Sequence, residues 1–278
     1  MISCFNIADI NEYHIDFIEQ QKFEEHVKKT IKSYNKALKK IDLARFNKNV
    51  VDPIKLTFDQ ALFKKTWEEI IKLEIHRQRD KSNTNAIGYF HQKIFNLFDN
   101  CVVPSKGFDV IVTNEDGTHI CVEMKNKHNT MNSSSSQKTY SKMLNYLVDH
   151  PNDKCYLVEI IAPTSRNIVW DINLDDVHHH HDNIRKVSID YFYRIVTGKE
   201  NAFYQICTQL PITIQKLLSE ANARTVEKDT VVEELRQKNQ DLLTALYLLA
   251  FESYLGFETF REMVKKLVED KLPKSKDK

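Results

Sequence analysis

Three residues, Asp109, Glu123 and Lys125, have the types and spacing to hold a divalent cation and act on a phosphoryl centre. They lie in the stretch GFDVIVTNEDGTHICVEMKNKHNT, residues 107 to 130. Phe108, Val110 and Val112 alternate with Asp109, Ile111 and Thr113. Asn114-Glu115-Asp116-Gly117 supplies turn residues, and Thr118 to Met124 is strand-like again, so the stretch predicts a β-hairpin. A three-residue loop, Glu115 to Gly117, with Gly117 left-handed in a G1 bulge, sets the register. Asn114 then faces Thr118 and, counting back, Asp109 faces Glu123. Facing residues of an antiparallel pair point to the same side of the sheet. Lys125, two residues beyond Glu123, points there too.

Two carboxylates side by side repel unless a cation sits between them, and hard oxygen donors suit Mg²⁺. A lysine beside such a site can orient or help deprotonate a water and steady the charge of a phosphoryl transition state. The bland alternative is a solvated hairpin face with a Glu-Lys pair, and the short pattern alone does not choose between the two. The run that follows, Asn126, Lys127, His128, Asn129 and Thr130, tilts the balance. It sets several side chains able to contact phosphates or base edges immediately beside the carboxylates.

The arrangement resembles the PD-(D/E)XK nuclease core, with Asp109 as the first acidic residue and Glu123-Met124-Lys125 as the second half-motif. Four blocks in order, VDPIKLTFD (51 to 59), EIHRQRDKSNTNAIGYFHQKIF (74 to 95), EMKNKHNT (123 to 130) and YLVEIIAP (156 to 163), are similar to type II restriction endonucleases that cut GGNCC. The resemblance spans residues 50 to 215. It departs from the superfamily pattern where Gly107-Phe108 precedes Asp109 in place of a proline. The resemblance implies an α/β restriction-endonuclease-like core, a mixed sheet flanked by helices. It implies Mg²⁺ held by Asp109, Glu123 and the Met124 carbonyl, with Lys125 positioning the attacking water. It further implies double-strand cleavage of unmethylated GGNCC after the first G, leaving 5′-phosphates. The near-palindromic target implies a two-fold homodimer on double-stranded DNA. A cognate DNA methyltransferase would act on the same site without needing to bind this chain.

The rest of the chain must position these groups. Its 278 residues suffice for one large domain or a domain with an appendage. A 41% hydrophobic and 28% charged composition is that of a globular chain rather than a disordered one. The net charge of +1 argues neither for nor against nucleic acid, because a local basic cleft is what releases counterions. Five scattered cysteines without CxxC spacing predict free thiols in a reducing cytoplasm rather than disulfides or a zinc site. Neither a signal peptide nor a membrane span is legible, so no membrane partner is expected.

The apolar spacing predicts a helix over residues 10 to 48, a break at Val51-Asp52-Pro53 and a second helix from Leu56 to Arg79. Glu74 on that helix is an auxiliary metal-site candidate, although a surface carboxylate paired with a nearby Lys or Arg explains it more simply. Arg77, Arg79 and Lys81 form a basic cluster, solvated by default and able to contact a DNA backbone in a nuclease. Asn83-Thr84-Asn85 reads as the start of a third helix buried through Ile87, Phe90, Ile94, Phe95 and Phe98. Gln92 on it either aims at the metal site, as the resemblance implies, or is an ordinary polar neighbour of the core.

After the hairpin, Ser133 to Ser136 reads as a cap for a helix from Gln137 to Val148. Cys155 to Ala162 reads as a central strand buried on both faces, and Ile168 to Ile172 as a strand paired with it. In the loop between them Arg166 and Asn167 join Asn126, Lys127, His128 and Asn129 as DNA-binding candidates, with Lys127 and Arg166 favoured as guanine readers. The run His178 to His181 reads as an exposed loop, since four consecutive histidines cannot all face one ion. Ser188 predicts the N-cap of a short helix ending at Gly198, and Asn201 to Leu218 a helix kinked near Pro211.

From Val226 the pattern turns heptad-like, with Val232, Leu235, Leu242, Leu246 and Leu249 at a and d and Asn239 at a. This predicts a helical segment that forms or braces a homodimer interface, or else covers its own subunit, with a last helix from Tyr254 to Leu267 and a Lys-rich tail. The division expected is a helical segment at 1–50, a nuclease core at 51–220 and a helical segment at 221–278. Two competing functions remain at this level: a structure-specific repair or recombination nuclease of the same fold, and a catalytically idle DNA-binding protein.

Overall fold

A computed structural model describes residues 13–174, 177–220 and 227–254. The helices are α1 (Gln20–Ala37), α2 (Leu43–Asn47), α3 (Pro53–Phe63), α4 (Trp67–Lys93), α5 (Ser133–Asp149), α6 (Ile189–Thr197), α7 (Ala202–Ser219), α8 (Val231–Lys238) and α9 (Leu242–Phe251). The strands are β1 (Cys101–Val102), β2 (Val110–Thr113), β3 (His119–Lys127), β4 (Lys154–Ile161), β5 (Asn167–Val169), β6 (Ile172–Leu174), β7 (Val177–His179) and β8 (Ile184–Ser188).

The chain divides into two compact units. One comprises residues 1–34 and 84–223, the other 35–83 and 224–278. The first is the mixed α/β body expected of a restriction-endonuclease-like core. Its six-stranded sheet has the order β1-β2-β3-β4-β8-β5. β1, β2 and β3 pair antiparallel, whereas β3, β4 and β8 run parallel. The chain crosses from β3 to β4 through α5, as parallel neighbours require. Val110, Val112, Val122 and Val158 bury one face of the sheet against Phe90, Phe95, Phe192 and Tyr193. Cys121, Cys155, Leu157 and Ile184 bury the other face against Tyr140, Met143 and Leu147 of α5. β4 is enclosed on both faces, as its apolar run predicts.

The hairpin forms as the turn chemistry dictates. Val110 pairs with Val122 and Thr113 with His119. The Asn114 amide donates to the Thr118 carbonyl at 2.9 Å, and Gly117 takes a φ of 81°. Only glycine adopts that left-handed value without steric penalty.

The second unit is helical. Ile41, Phe46, Ile70, Ile71 and Ile75 close a separate core with Val231, Leu235, Leu242 and Leu246. Among the described residues no helix is long and apolar enough to cross a membrane.

Several expected elements differ. The helix expected over 10 to 48 is two, α1 and α2, and Asp42 caps α2 by accepting from the Arg45 amide. The helix expected from Leu56 to Arg79 is also two. Lys64 ends α3 in the left-handed region, and Thr66 and Glu69 form a reciprocal capping box that opens α4. α4 then runs unbroken through Asn83-Thr84-Asn85, because no proline interrupts that polar run and apolar anchors hold both flanks. The four serines are the first turn of α5 rather than its cap, which is Asn132.

β5 pairs with β8 and not with β4, whose two edges β3 and β8 already occupy. Ile172 belongs instead to the β6–β7 hairpin, and the histidine run starts within β7 rather than in an open loop. The heptad pattern breaks between α8 and α9. Asn239 is extended, at φ −157° and ψ 138°, its side chain accepts from the Asp241 amide, and Asp241 caps α9. Local side-chain hydrogen bonding here wins over helix continuation. Asn239 is therefore a helix terminator and not a heptad residue. The last helix expected beyond Tyr254 lies outside the described residues.

Candidate active site

The carboxyl end of β3 and the entry to β2 carry the site. The Asp109 amide donates to the carbonyl of Val122, the residue that pairs with Val110, at 2.8 Å, and Phe108 packs on the opposite face of the sheet from Val110 and Val112, so the strict alternation expected of this strand ends at Asp109. Asp109 is fixed from two sides. Its Oδ2 accepts from the Met124 amide at 2.8 Å, and its Oδ1 from Gln92 Nε2 at 3.1 Å. The same amide group of Gln92 also reaches the Asp109 carbonyl at 3.1 Å. Gln92 is in place because Phe90, Ile94 and Phe95 sink into the sheet core and turn the intervening face of α4 toward β2.

Glu123 is 12% exposed at its side chain, with Lys125 Nζ 3.9 Å from its Oε2. Its Oε1 accepts from Lys142 Nζ of α5, a residue that sequence reasoning missed. Lys142 also donates to the Gly107 carbonyl at 2.8 Å and lies 4.4 Å from the centroid of the Phe108 ring. Helical spacing alone does not report it, because its partners Glu123 and Gly107 are distant in sequence. Tyr140, Met143 and Leu147 face the sheet, which sets Lys142 at the edge of that face.

A cavity of about 500 Å³ opens beside these groups, walled by Asn85, Gly88 and His91 of α4 and by Lys125 and Asn126 of β3. Burial pushes the His91 pKa down to about 4, helped by repulsion from His26, so its ring is neutral at ordinary assay pH. Lys127, His128 and Asn129 are exposed just beyond.

The other candidates are engaged elsewhere. Glu74 lies in the helical unit, 5% exposed, and its carboxylate accepts from Arg77 (two bonds, each 2.6 Å) and from Gln78 at 3.1 Å. Arg166 pairs with the buried Glu159 on β4. Its backbone amide donates to Ser188 Oγ at 2.9 Å. The Asn167 side chain accepts from Arg185 Nε at 2.6 Å. In the histidine run, His180 is held between Asp171 and Asp182, and these hydrogen bonds raise its pKa. Among the described residues no three His, Cys, Asp or Glu side chains gather as a ready-made metal centre.

A six-stranded mixed sheet flanked by helices, with Asp109 and Lys125 lining an open cavity, is consistent with a restriction-endonuclease-like core. Comparison with known proteins narrows this. The sequence pattern described as Eco47II restriction endonuclease matches residues 15–219. The chain is 31% identical to the type II restriction enzyme Sau96I of Staphylococcus aureus over 236 residues, 82% of this chain and 90% of that enzyme. It is 33% identical to the type II restriction enzyme Eco47II of Escherichia coli over 197 residues, 66% of this chain and 81% of that enzyme. The chain belongs to the Eco47II restriction endonuclease family and is a type II, site-specific deoxyribonuclease.

Proposed function

We propose that this enzyme cuts both strands of unmethylated duplex GGNCC, using Mg²⁺ and the Asp109–Glu123–Lys125 constellation. The observation that carries this reading is that Asp109 and Lys125 line one cavity with room for a phosphodiester, with Lys125 Nζ 3.9 Å from Glu123 Oε2. The donor chemistry fits a hard divalent cation. Asp109, Glu123 and the Met124 carbonyl offer oxygen only, and Mg²⁺ keeps several of its positions for water and phosphate. When bound, the cation polarises the phosphoryl oxygen and lowers the pKa of water.

The chain's own groups do the rest. Gln92 and the Met124 amide hold Asp109 in one orientation. Lys125 directs the attacking water and offsets charge on the non-bridging oxygens. The water oxygen bonds to phosphorus in line, the bond to O3′ breaks, and the 3′ oxygen leaves as a hydroxyl, which puts the phosphate on the 5′ end. Lys127, His128, Asn126 and Asn129 meet the DNA beyond β3, with Lys127 as a guanine reader. Arg166 and Asn167 shape the neighbouring edge through Glu159 and Arg185. Two copies related by a two-fold axis place one site on each strand, in a cytoplasm where a cognate methyltransferase protects host GGNCC.

Duplexes differing only at the target test the reading. One GGNCC duplex should be cut on both strands in Mg²⁺, whereas its methylated form and a GGNCT duplex should survive. Equal cutting of all three, or cutting of branched DNA alone, would overturn it in favour of a structure-specific nuclease.

A further inference from the structure

The lysine on α5 adds a second ammonium group to the acidic pair. Glu123 carries Lys142 on Oε1 and has Lys125 3.9 Å from Oε2. Lys142 is not a loose surface charge that happens to lie nearby. Its Nζ donates to the Gly107 carbonyl at 2.8 Å, and its position 4.4 Å from the Phe108 ring centroid adds a cation–π contact. Gly107 and Phe108 lead directly into Asp109, so one ammonium group ties α5 to both limbs of the acidic hairpin.

The charges then balance. Asp109 and Glu123 bring two negative charges, and Lys125 and Lys142 bring two positive ones. A site neutral before any cation arrives has little Coulombic pull on a divalent ion. It gains that pull when the scissile phosphate adds negative charge. Resting on the nuclease reading above, we propose that Lys142 is a positioning residue that holds Glu123 through Oε1 and makes uptake of the divalent cation depend on bound DNA. The free enzyme would take up metal weakly, and chemistry would be armed only on a substrate.

Two variants and two measurements test this. Lys142→Met keeps the apolar stem over Phe108 and removes the charge, while Lys142→Arg keeps the charge. Thermal unfolding establishes that each variant is folded, and Lys142→Gln substitutes if the Met variant is not. Calorimetric titration of DNA-free protein with Mn²⁺ is the decisive readout, because loss of a merely structural lysine would not tighten metal binding. The Lys142→Met protein should bind Mn²⁺ at least about tenfold more tightly than wild type, as expected for removing a cation hydrogen-bonded to a ligand. Its single-turnover cleavage at saturating metal should fall about tenfold or more, because Glu123 is no longer held. Lys142→Arg should stay near wild type in both measurements.

A Lys142→Met protein with unchanged or undetectable Mn²⁺ affinity overturns the proposal, whatever its cleavage rate. Failure of the nuclease reading is seen separately, as wild-type protein that cuts no DNA with any divalent ion.

Discussion

Gln92 Nε2 donates to both the carbonyl oxygen and Oδ1 of Asp109, each at 3.1 Å, so one side chain of α4 fixes an acidic residue of the hairpin twice. Such outer partners orient a ligand and set its basicity, and their loss costs about 10- to 100-fold in metal affinity or activity. Gln92→Leu should therefore slow single-turnover cleavage by that factor while leaving DNA affinity and unfolding unchanged. A cleavage rate within twofold of wild type would place Gln92 outside the machinery.

The acidic pair and its lysine act as one unit. Asp109→Asn, Glu123→Gln and Lys125→Met should each abolish cleavage and leave the fold intact, since all three stand at the end of the hairpin rather than in either core. Double variants should lose little more than single ones. The check is single-turnover cleavage beside a denaturation curve for every variant. Independent, multiplying losses would mean that the three do not share a step.

Arg166 was the sequence's favoured guanine reader, but its guanidinium is paired with Glu159, which is 2% exposed on β4. Removing one partner of a buried pair leaves an uncompensated charge, a cost of about 3–5 kcal/mol, with the lower end fitting a partly exposed arginine. Arg166→Met should therefore lower stability by about 3 kcal/mol, and adding Glu159→Gln should recover much of it. Lys127→Ala should instead leave stability alone and weaken target DNA more than random duplex. If Arg166→Met unfolds like wild type and loses only target affinity, the arginine reads DNA after all.

His26 makes stability depend on pH. It is 7% exposed, and its Nε2 lies 3.0 Å from the Phe90 carbonyl. Burial pushes its pKa down to about 4, with Lys29 and Lys93 adding repulsion and the Phe90 carbonyl opposing. In the unfolded chain a histidine titrates near 6.5, so between about 6.5 and 4 the unfolded state binds the extra proton. The stabilising contribution is complete above about pH 6.5 and is lost as pH falls through about 4, up to about 3 kcal/mol. His91 shifts in the same direction. Urea unfolding at about pH 7.5 and about pH 4.5 should show His26→Gln losing less on acidification than wild type. Equal losses would remove His26 from the account.

How much of this was legible in the sequence differs from element to element. The hairpin and its register from Val110 to Thr113 followed from Gly117 and strict alternation, which are local signals. The buried strand β4 followed from an unbroken apolar run. Pairing of β5 was not legible, because strand neighbours depend on which edges are already taken. The start of α4 was legible but unread, in the capping box of Thr66 and Glu69. Lys142 and the Glu159–Arg166 pair depend on contacts far apart in sequence, which periodicity does not report.

The C-terminal stripe shows the same limit. Leu235, Leu242 and Leu246 fit a coiled-coil seam on paper, but they are buried within their own unit beside Ile70 and Ile71. Leu235→Ala should cost about 2–5 kcal/mol of stability as a core truncation. Sedimentation should find the folded remainder in the same oligomeric state as wild type. A clean loss of dimer without loss of stability would restore the seam.

The most direct test of the central claim is digestion of a fully sequenced plasmid in Mg²⁺, followed by sequencing of every fragment end. Double-strand cuts after the first G of each unmethylated GGNCC, with phosphate on the 5′ ends, are the result predicted. Ends scattered without a shared target, or an intact plasmid in both Mg²⁺ and Mn²⁺, would contradict it.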